Sequence, residues 1–130
     1  MLRKKRGFTL IELLAVIIIL GILVTIAVPR LWDTRLEAFR AAAVSDLRNL
    51  ATAQELFWEI ERGYANQVEL VDVETSKGVD LDITESSHAG WAAVARHTSF
   101  PSSECGIFVG TADPANGSPG VVVGEIHCSR

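Results

Sequence analysis

Between Gly7 and Pro29 the chain has no basic side chain, and its only acid there is Glu12. Phe8 to Val28, about 21 residues, makes a helix of roughly 31 Å, one hydrocarbon thickness, so this segment can span a bilayer. An ionised carboxylate in that setting costs about 2.5–3.5 kcal/mol, and the run holds no cation to offset it. Glu12 therefore needs a partner from elsewhere. Basic residues are also scarce at the other end: residues 63–130 contain only Lys77, Arg96 and Arg130 against nine acids, a balance of 3 − 9 = −6. Such an acidic segment is a poor platform for nucleic acid, and no specific nucleic-acid partner is expected. There is no internal repeat and no low-complexity tract.

Cysteine is limited to Cys105 and Cys128. "ADPANGSPG" is a dense cluster of turn residues separating two strand-like segments, Cys105 to Thr111 and Gly120 to Cys128. A hairpin centred on Asn116-Gly117 has a pairing sum of 116 + 117 = 233, which 105 + 128 also satisfies. The two cysteines then face each other. In an exported head a disulfide closing about 24 residues contributes roughly 3.4 kcal/mol in the chain-entropy model. The competing arrangement, a metal bound by His97, Cys105, His127 and Cys128, matches no familiar zinc spacing, and no metal site or cofactor is expected.

What is abundant is apolar periodicity. At the N-terminus Arg3, Lys4, Lys5 and Arg6 precede the apolar run, which by the positive-inside rule places Met1 to Arg6 in the cytoplasm and everything after Arg30 outside. The run is long, β-branched and ends in Pro29-Arg30, unlike a cleaved secretory signal. Beyond it Leu36, Phe39, Ala43, Leu47, Leu50, Gln54, Phe57 and Ile60 recur at steps of three and four, while Arg35, Glu37, Arg40, Asp46, Arg48, Glu55, Glu59 and Arg62 fall mostly elsewhere. That is an amphipathic helix ending at Gly63. Pro29 predicts a kink or a short break, and Gly21 a second weak point. A loop is expected from Tyr64 to Lys77. Val79, Leu81 and Ile83 alternating with Asp80, Asp82 and Thr84 predict a half-buried strand, and Gly90 to His97 a second.

No catalytic arrangement is visible. Ser86-Ser87-His88 are neighbours in a polar loop and read as solvated, and Asp80, Asp82 and Glu85 read as the wet side of a strand in preference to a calcium site. Asn116-Gly117-Ser118 fits the N-glycosylation pattern, but Asn-Gly turn chemistry explains it without sugar. Trp32 reads as an interfacial anchor, Phe57 and Trp91 as core, and Trp58 as lying off the main helix face.

Gly7-Phe8-Thr9-Leu10-Ile11-Glu12, after a short basic leader, resembles the processing motif of type IV prepilins and related secretion-system pseudopilins. The resemblance covers residues 3–30. It implies cleavage between Gly7 and Phe8 by a membrane prepilin peptidase, which also methylates the new Phe8 amine. It also gives Glu12 a partner: the Phe8 amine of a neighbouring subunit, or its own, four residues away on the helix. Gly21 and Pro29 sit where family members carry helix breakers, so the resemblance implies that part of that stretch unwinds in a filament. Asn49 stands where many pilins have a second kinking proline, which implies an unkinked amphipathic half.

The expected fold is α+β: one long N-terminal helix, with a membrane or filament-core half and an amphipathic half, packed on a small C-terminal antiparallel sheet with one disulfide. Residues 1–7 form a removed leader, 8–29 the transmembrane and filament-core helix, and 30–130 the head, with helix 30–62 and sheet 79–128. The function implied is non-enzymatic: a subunit of a type IV pilus or pilus-like filament. It resides in the inner membrane before assembly and in the extracellular pilus afterwards. Its partners would be copies of itself, the peptidase and the inner-membrane assembly machinery. A type II secretion pseudopilin or minor tip pilin is the alternative within the family. A monomeric membrane-anchored binding protein is the alternative outside it.

Overall fold

A computed structural model of the chain describes residues 7–129, so the basic residues Met1 to Arg6 and the terminal Arg130 lie outside the described residues. Helix α1 runs Leu10–Glu61, and four strands follow: β1 Val79–Ser86, β2 Gly90–His97, β3 Phe100–Gly110 and β4 His127–Cys128. They form one antiparallel sheet in the order β1-β2-β3-β4. The chain divides into two units between Arg35 and Leu36.

In the first unit no residue from Leu10 to Arg35 is buried, and fourteen of the residues from Leu10 to Val28 are exposed Leu, Ile or Val. In the single chain the helix continues through Gly21 and Pro29 without a break. A proline keeps a helical φ and removes one hydrogen bond, here the one to the Thr25 carbonyl, and long helices pass through such a site.

In the second unit Phe39, Ala43, Leu47, Leu50 and Gln54 are buried against Leu81, Ile83, Trp91, Ala93, Ala95 and Ile107. β1 alternates as expected, with Val79, Leu81 and Ile83 inward and Asp80, Asp82 and Thr84 exposed. β2 does not alternate because both its faces are covered: Trp91, Ala93 and Ala95 face α1, and Ala92 packs with Phe108 and Ala112 on the other side. That second layer comes from residues 111–126, which fold back over the sheet in place of the regular strand expected from Gly120. A Cβ on Gly106 would strike the Gly117 and Ser118 carbonyls, so only glycine permits this approach. The hairpin is correspondingly shortened to two pairs, Cys105↔Cys128 and Gly106↔His127, and β3 starts at Phe100 instead of Cys105. The expected register holds, and Cys105 and Cys128 are joined by a disulfide.

The loop between α1 and β1 is pinned by two buried polar side chains. Gln54 donates from Nε2 to the Ala65 carbonyl (2.9 Å) and accepts from the Ala65 N–H at Oε1 (2.8 Å). Asp46 accepts from the Ser76 N–H (2.7 Å) and the Ser76 hydroxyl (2.9 Å). Asp46 is thus buried and not on the solvent side, whereas Ile60, expected on the packed stripe, is 78% exposed. An unpartnered buried polar group costs about 1–3 kcal/mol, so Gln54→Leu, which orphans both Ala65 groups, is expected to destabilise the head by about 3 kcal/mol in urea unfolding. Asp46→Asn keeps an acceptor for one Ser76 donor, and its loss is expected to be about 1 kcal/mol.

α1 stops at Glu61, before the expected Gly63, and Arg62 is the residue in the left-handed region (φ 58°). The β1–β2 turn caps it: the His88 imidazole donates from Nδ1 to the Arg62 carbonyl (2.8 Å), and the Trp58 indole donates to the His88 carbonyl (3.2 Å). Tertiary contacts, not the glycine, set the end. Nearby, burial first and the Glu55 carboxylate second push the Tyr64 phenol above its ordinary pKa.

Candidate functional site

The residues singled out for processing and assembly lie at the start of α1. Helical hydrogen bonding begins at Leu10, so the Gly7–Phe8 peptide bond sits outside it, and both residues are exposed. Nothing lies within 4 Å of where a Gly7 Cβ would stand, and Phe8 is 86% exposed. A peptidase needs an uncovered bond outside regular structure, and this one is exposed and precedes the helix. In the uncleaved chain the Phe8 nitrogen is an uncharged amide, so a charged partner for Glu12 arises there only after cleavage.

Glu12 is instead held by Thr9. Its Oε2 accepts from the Thr9 N–H (2.9 Å) and the Thr9 hydroxyl (2.8 Å), while the Glu12 N–H donates to the same hydroxyl (3.3 Å). This reciprocal arrangement, Thr-x-x-Glu, is a capping box: each side chain satisfies a backbone donor that the first helical turn leaves open. A carboxylate at this end also complements the helix dipole. Both pairings expected from the sequence need the Phe8 amine that cleavage would create, so in the single uncleaved chain the cap is what holds the carboxylate. Thr9 was missed, although the spacing Thr9 to Glu12 ahead of an apolar run carries the signal.

Behind this cap, and alone in this among the described residues, runs a helix long and apolar enough to cross a membrane, with a mean hydropathy of 3.0 over 18 residues and none of that window buried. Burying a Leu, Ile or Val side chain contributes about 1.5–3 kcal/mol, so fourteen such groups leave tens of kcal/mol to be gained from lipid or from other chains. That term dwarfs the marginal stability of any head of this size.

The other candidate groups have structural roles. Ser87 Oγ donates to the Gly90 carbonyl and accepts from the Ala89 and Gly90 N–H groups, shaping the β1–β2 turn. Glu85 Oε2 accepts from the Asp113 N–H (2.9 Å) and from the Asn116 side-chain amide (2.8 Å), tying the 111–126 segment to β1. His97 packs against the rings of Phe39 and Phe100 and accepts from the Ser99 N–H at Nδ1, and His127 sits 3.4 Å from Glu125. With the two sulfurs bonded to each other, these histidines have no thiolate to share a metal with. Trp58, expected off the main face, docks within its own chain, with the Arg62 guanidinium over its ring.

Residues 2–28 match the family model described as the prokaryotic N-terminal methylation motif. The chain is 30% identical over 104 residues to the type IV major pilin protein PilA of Myxococcus xanthus, a match spanning 80% of this chain and 47% of that protein. The methylation motif and these similarities support placing the chain in the type IV pilin and pilin-like family. Two further relatives match a shorter part of the chain. The type II secretion system core protein G of Pectobacterium carotovorum is 43% identical over 54 residues, 42% of this chain and 35% of that protein. Its counterpart in Escherichia coli K12 is 41% identical over 54 residues, 42% and 37% respectively. This pilin-like chain therefore spans less than half the length of each of these relatives.

Proposed function

We propose that this chain is a structural subunit of a type IV pilus or pilus-like extracellular filament, without catalytic activity of its own. The observation that carries the reading is an uncovered apolar helix opened by a prepilin-type motif. In this account residues 1–7 are removed, Phe8 becomes a methylated terminal amine, and residues 8–29 pass from the inner membrane into the filament core. Lipid contacts are exchanged there for contacts with sibling helices, so the same apolar surface is satisfied in both places. Glu12 pairs with a neighbour's Phe8 amine, and the stretch from Gly21 to Pro29 is where the helix yields as subunits pack. The prepilin peptidase and the inner-membrane assembly machinery are the remaining partners.

A secretion pseudopilin is the second reading, favoured by the higher identities to the type II secretion proteins. Those matches cover 42% of this chain, whereas the match to PilA covers 80% of it, which supports taking the pilin reading first. Mass spectrometry of surface-sheared material tests the proposal. Filaments made of a chain beginning at methylated Phe8 are expected. A mature protein that keeps Met1 and remains a detergent-soluble monomer would point to a membrane-anchored binding protein.

A further inference from the structure

The head carries two exposed apolar features on opposite sides of α1. At about 100° per residue, Ala53 and Ile60 fall to one side of the stripe from Phe39 to Gln54 and Val44 and Ala51 to the other, while Arg48, Thr52 and Leu56 stand one turn apart on the outer ridge between them. On the first side Leu56, Ile60 and Leu70, exposed by 64%, 78% and 52%, rim a groove of about 320 Å³ with Asp72 at its edge. On the second side Arg48 and Thr52 line a groove against Gly124 to Ile126, and Val121, Val122 and Val123 immediately before it stand exposed by 73%, 48% and 56%. Among the described residues neither Arg48 nor Asp72 takes part in a salt bridge.

We propose that the Val121–Val123 strip and Arg48 of one copy seat against the Leu56–Ile60–Leu70 groove and Asp72 of the next copy. The inference rests on the filament-subunit reading. A second copy is the fitting occupant because the two sides complement each other, apolar strip to apolar groove and cation to anion. The Leu56–Ile60–Leu70 groove against its own like would bring Asp72 to Asp72. On the other side Glu125, in the groove with Arg48, is engaged by His127 at 3.4 Å, which leaves Arg48 as the charge there without a salt-bridge partner among the described residues. Clustered exposed apolar side chains rimmed by charge mark interaction surfaces. Two different, mutually complementary patches on one chain make a head-to-tail contact, which extends into an open helical fibre when the rotation does not close.

Full-length chains carrying both Ile60→Cys and Val122→Cys test this in sheared filaments treated with a short bis-maleimide, which leaves the native disulfide untouched. A ladder of dimers, trimers and higher species is expected from the double variant, and monomer alone from each single variant. Filaments whose ladder does not exceed that of an Asp82→Cys/Ile60→Cys control would overturn the contact and leave the filament reading standing. Dimers from Val122→Cys alone would overturn the head-to-tail arrangement, and attachment of Ile60→Cys to a different protein would overturn the second copy as occupant. Should the double variant not assemble, the two single variants co-assembled with excess unsubstituted chain are expected to give a mixed dimer, and its absence counts against the contact. If the unsubstituted chain forms no filaments, the filament reading falls and the contact with it.

Discussion

Replacing Glu12 by Ala is expected to abolish filaments while the chain still accumulates in the membrane with a folded head. The substitution removes two things at once: the acceptor that caps Thr9 and, in the proposed filament, the carboxylate that would meet a neighbour's amine. The two losses differ in size. A helix cap contributes about 1 kcal/mol. Leaving one member of a buried ion pair without its partner costs about 3–5 kcal/mol, repeated at every subunit of a polymer. Glu12→Gln separates them, because glutamine still satisfies a capping box but carries no charge. Glu12→Gln is expected to lose filaments as fully as Glu12→Ala. Thr9→Ser keeps both hydroxyl and backbone bonds and is expected to retain filaments. Electron microscopy of sheared preparations, with immunoblots of membranes for subunit level, reads all three. Normal filament yield from Glu12→Gln would show that the cap, not the charge, is what assembly requires.

Removing the disulfide is expected to have the largest effect on the head itself. β4 is held to β3 by two residue pairs, and one of them is the cystine. The cross-link spans a sequence separation of 23 residues and encloses the segment that covers the outer face of β2. Constraining a loop of that size stabilises by about 3 kcal/mol in the chain-entropy model. For a head of about one hundred residues each kcal/mol moves the melting temperature by roughly 4–8 °C, so Cys105→Ala with Cys128→Ala is expected to lower it by roughly 15 °C. Circular dichroism melts of the full chain in detergent measure this. Fraying is expected to begin at residues 111–126, detected as early loss of hydrogen-exchange protection there. An unchanged melting temperature would mean that the glycine-mediated approach of Gly117 to Gly106 holds the segment without the cross-link.

The long-period features of this chain are readable from its residues, and the features set by tertiary contact are not. The steps from Phe39 to Gln54 give the buried stripe directly, because helical periodicity and burial coincide there. The Cys105–Cys128 register follows from pairing arithmetic alone, although the regular hairpin behind that arithmetic is largely absent. Strand β2 hides its character because a strand covered on both faces loses the alternation that marks half-buried strands. Asp46 lies three residues after Ala43 and four before Leu50, so it occupies the apolar stripe; its charge made it look solvent-facing when Ser76 was out of view. The end of α1 is decided by His88 and Trp58, residues whose meeting no local pattern announces. At the start of α1 the Thr9–Glu12 box is legible in the spacing, because an uncharged hydroxyl and a backbone N–H satisfy the carboxylate in a run that holds no cation.

The central claim is that the exposed apolar face of residues 10–28 is buried among copies of the same helix. A helical reconstruction of sheared filaments by electron cryo-microscopy tests this most directly. The account predicts the N-terminal helices bundled at the filament axis, each Glu12 carboxylate within ion-pairing distance of a neighbouring Phe8 amine. Filaments whose axis is built from the sheet-bearing heads, with these helices outside and Glu12 remote from any terminal amine, would contradict it.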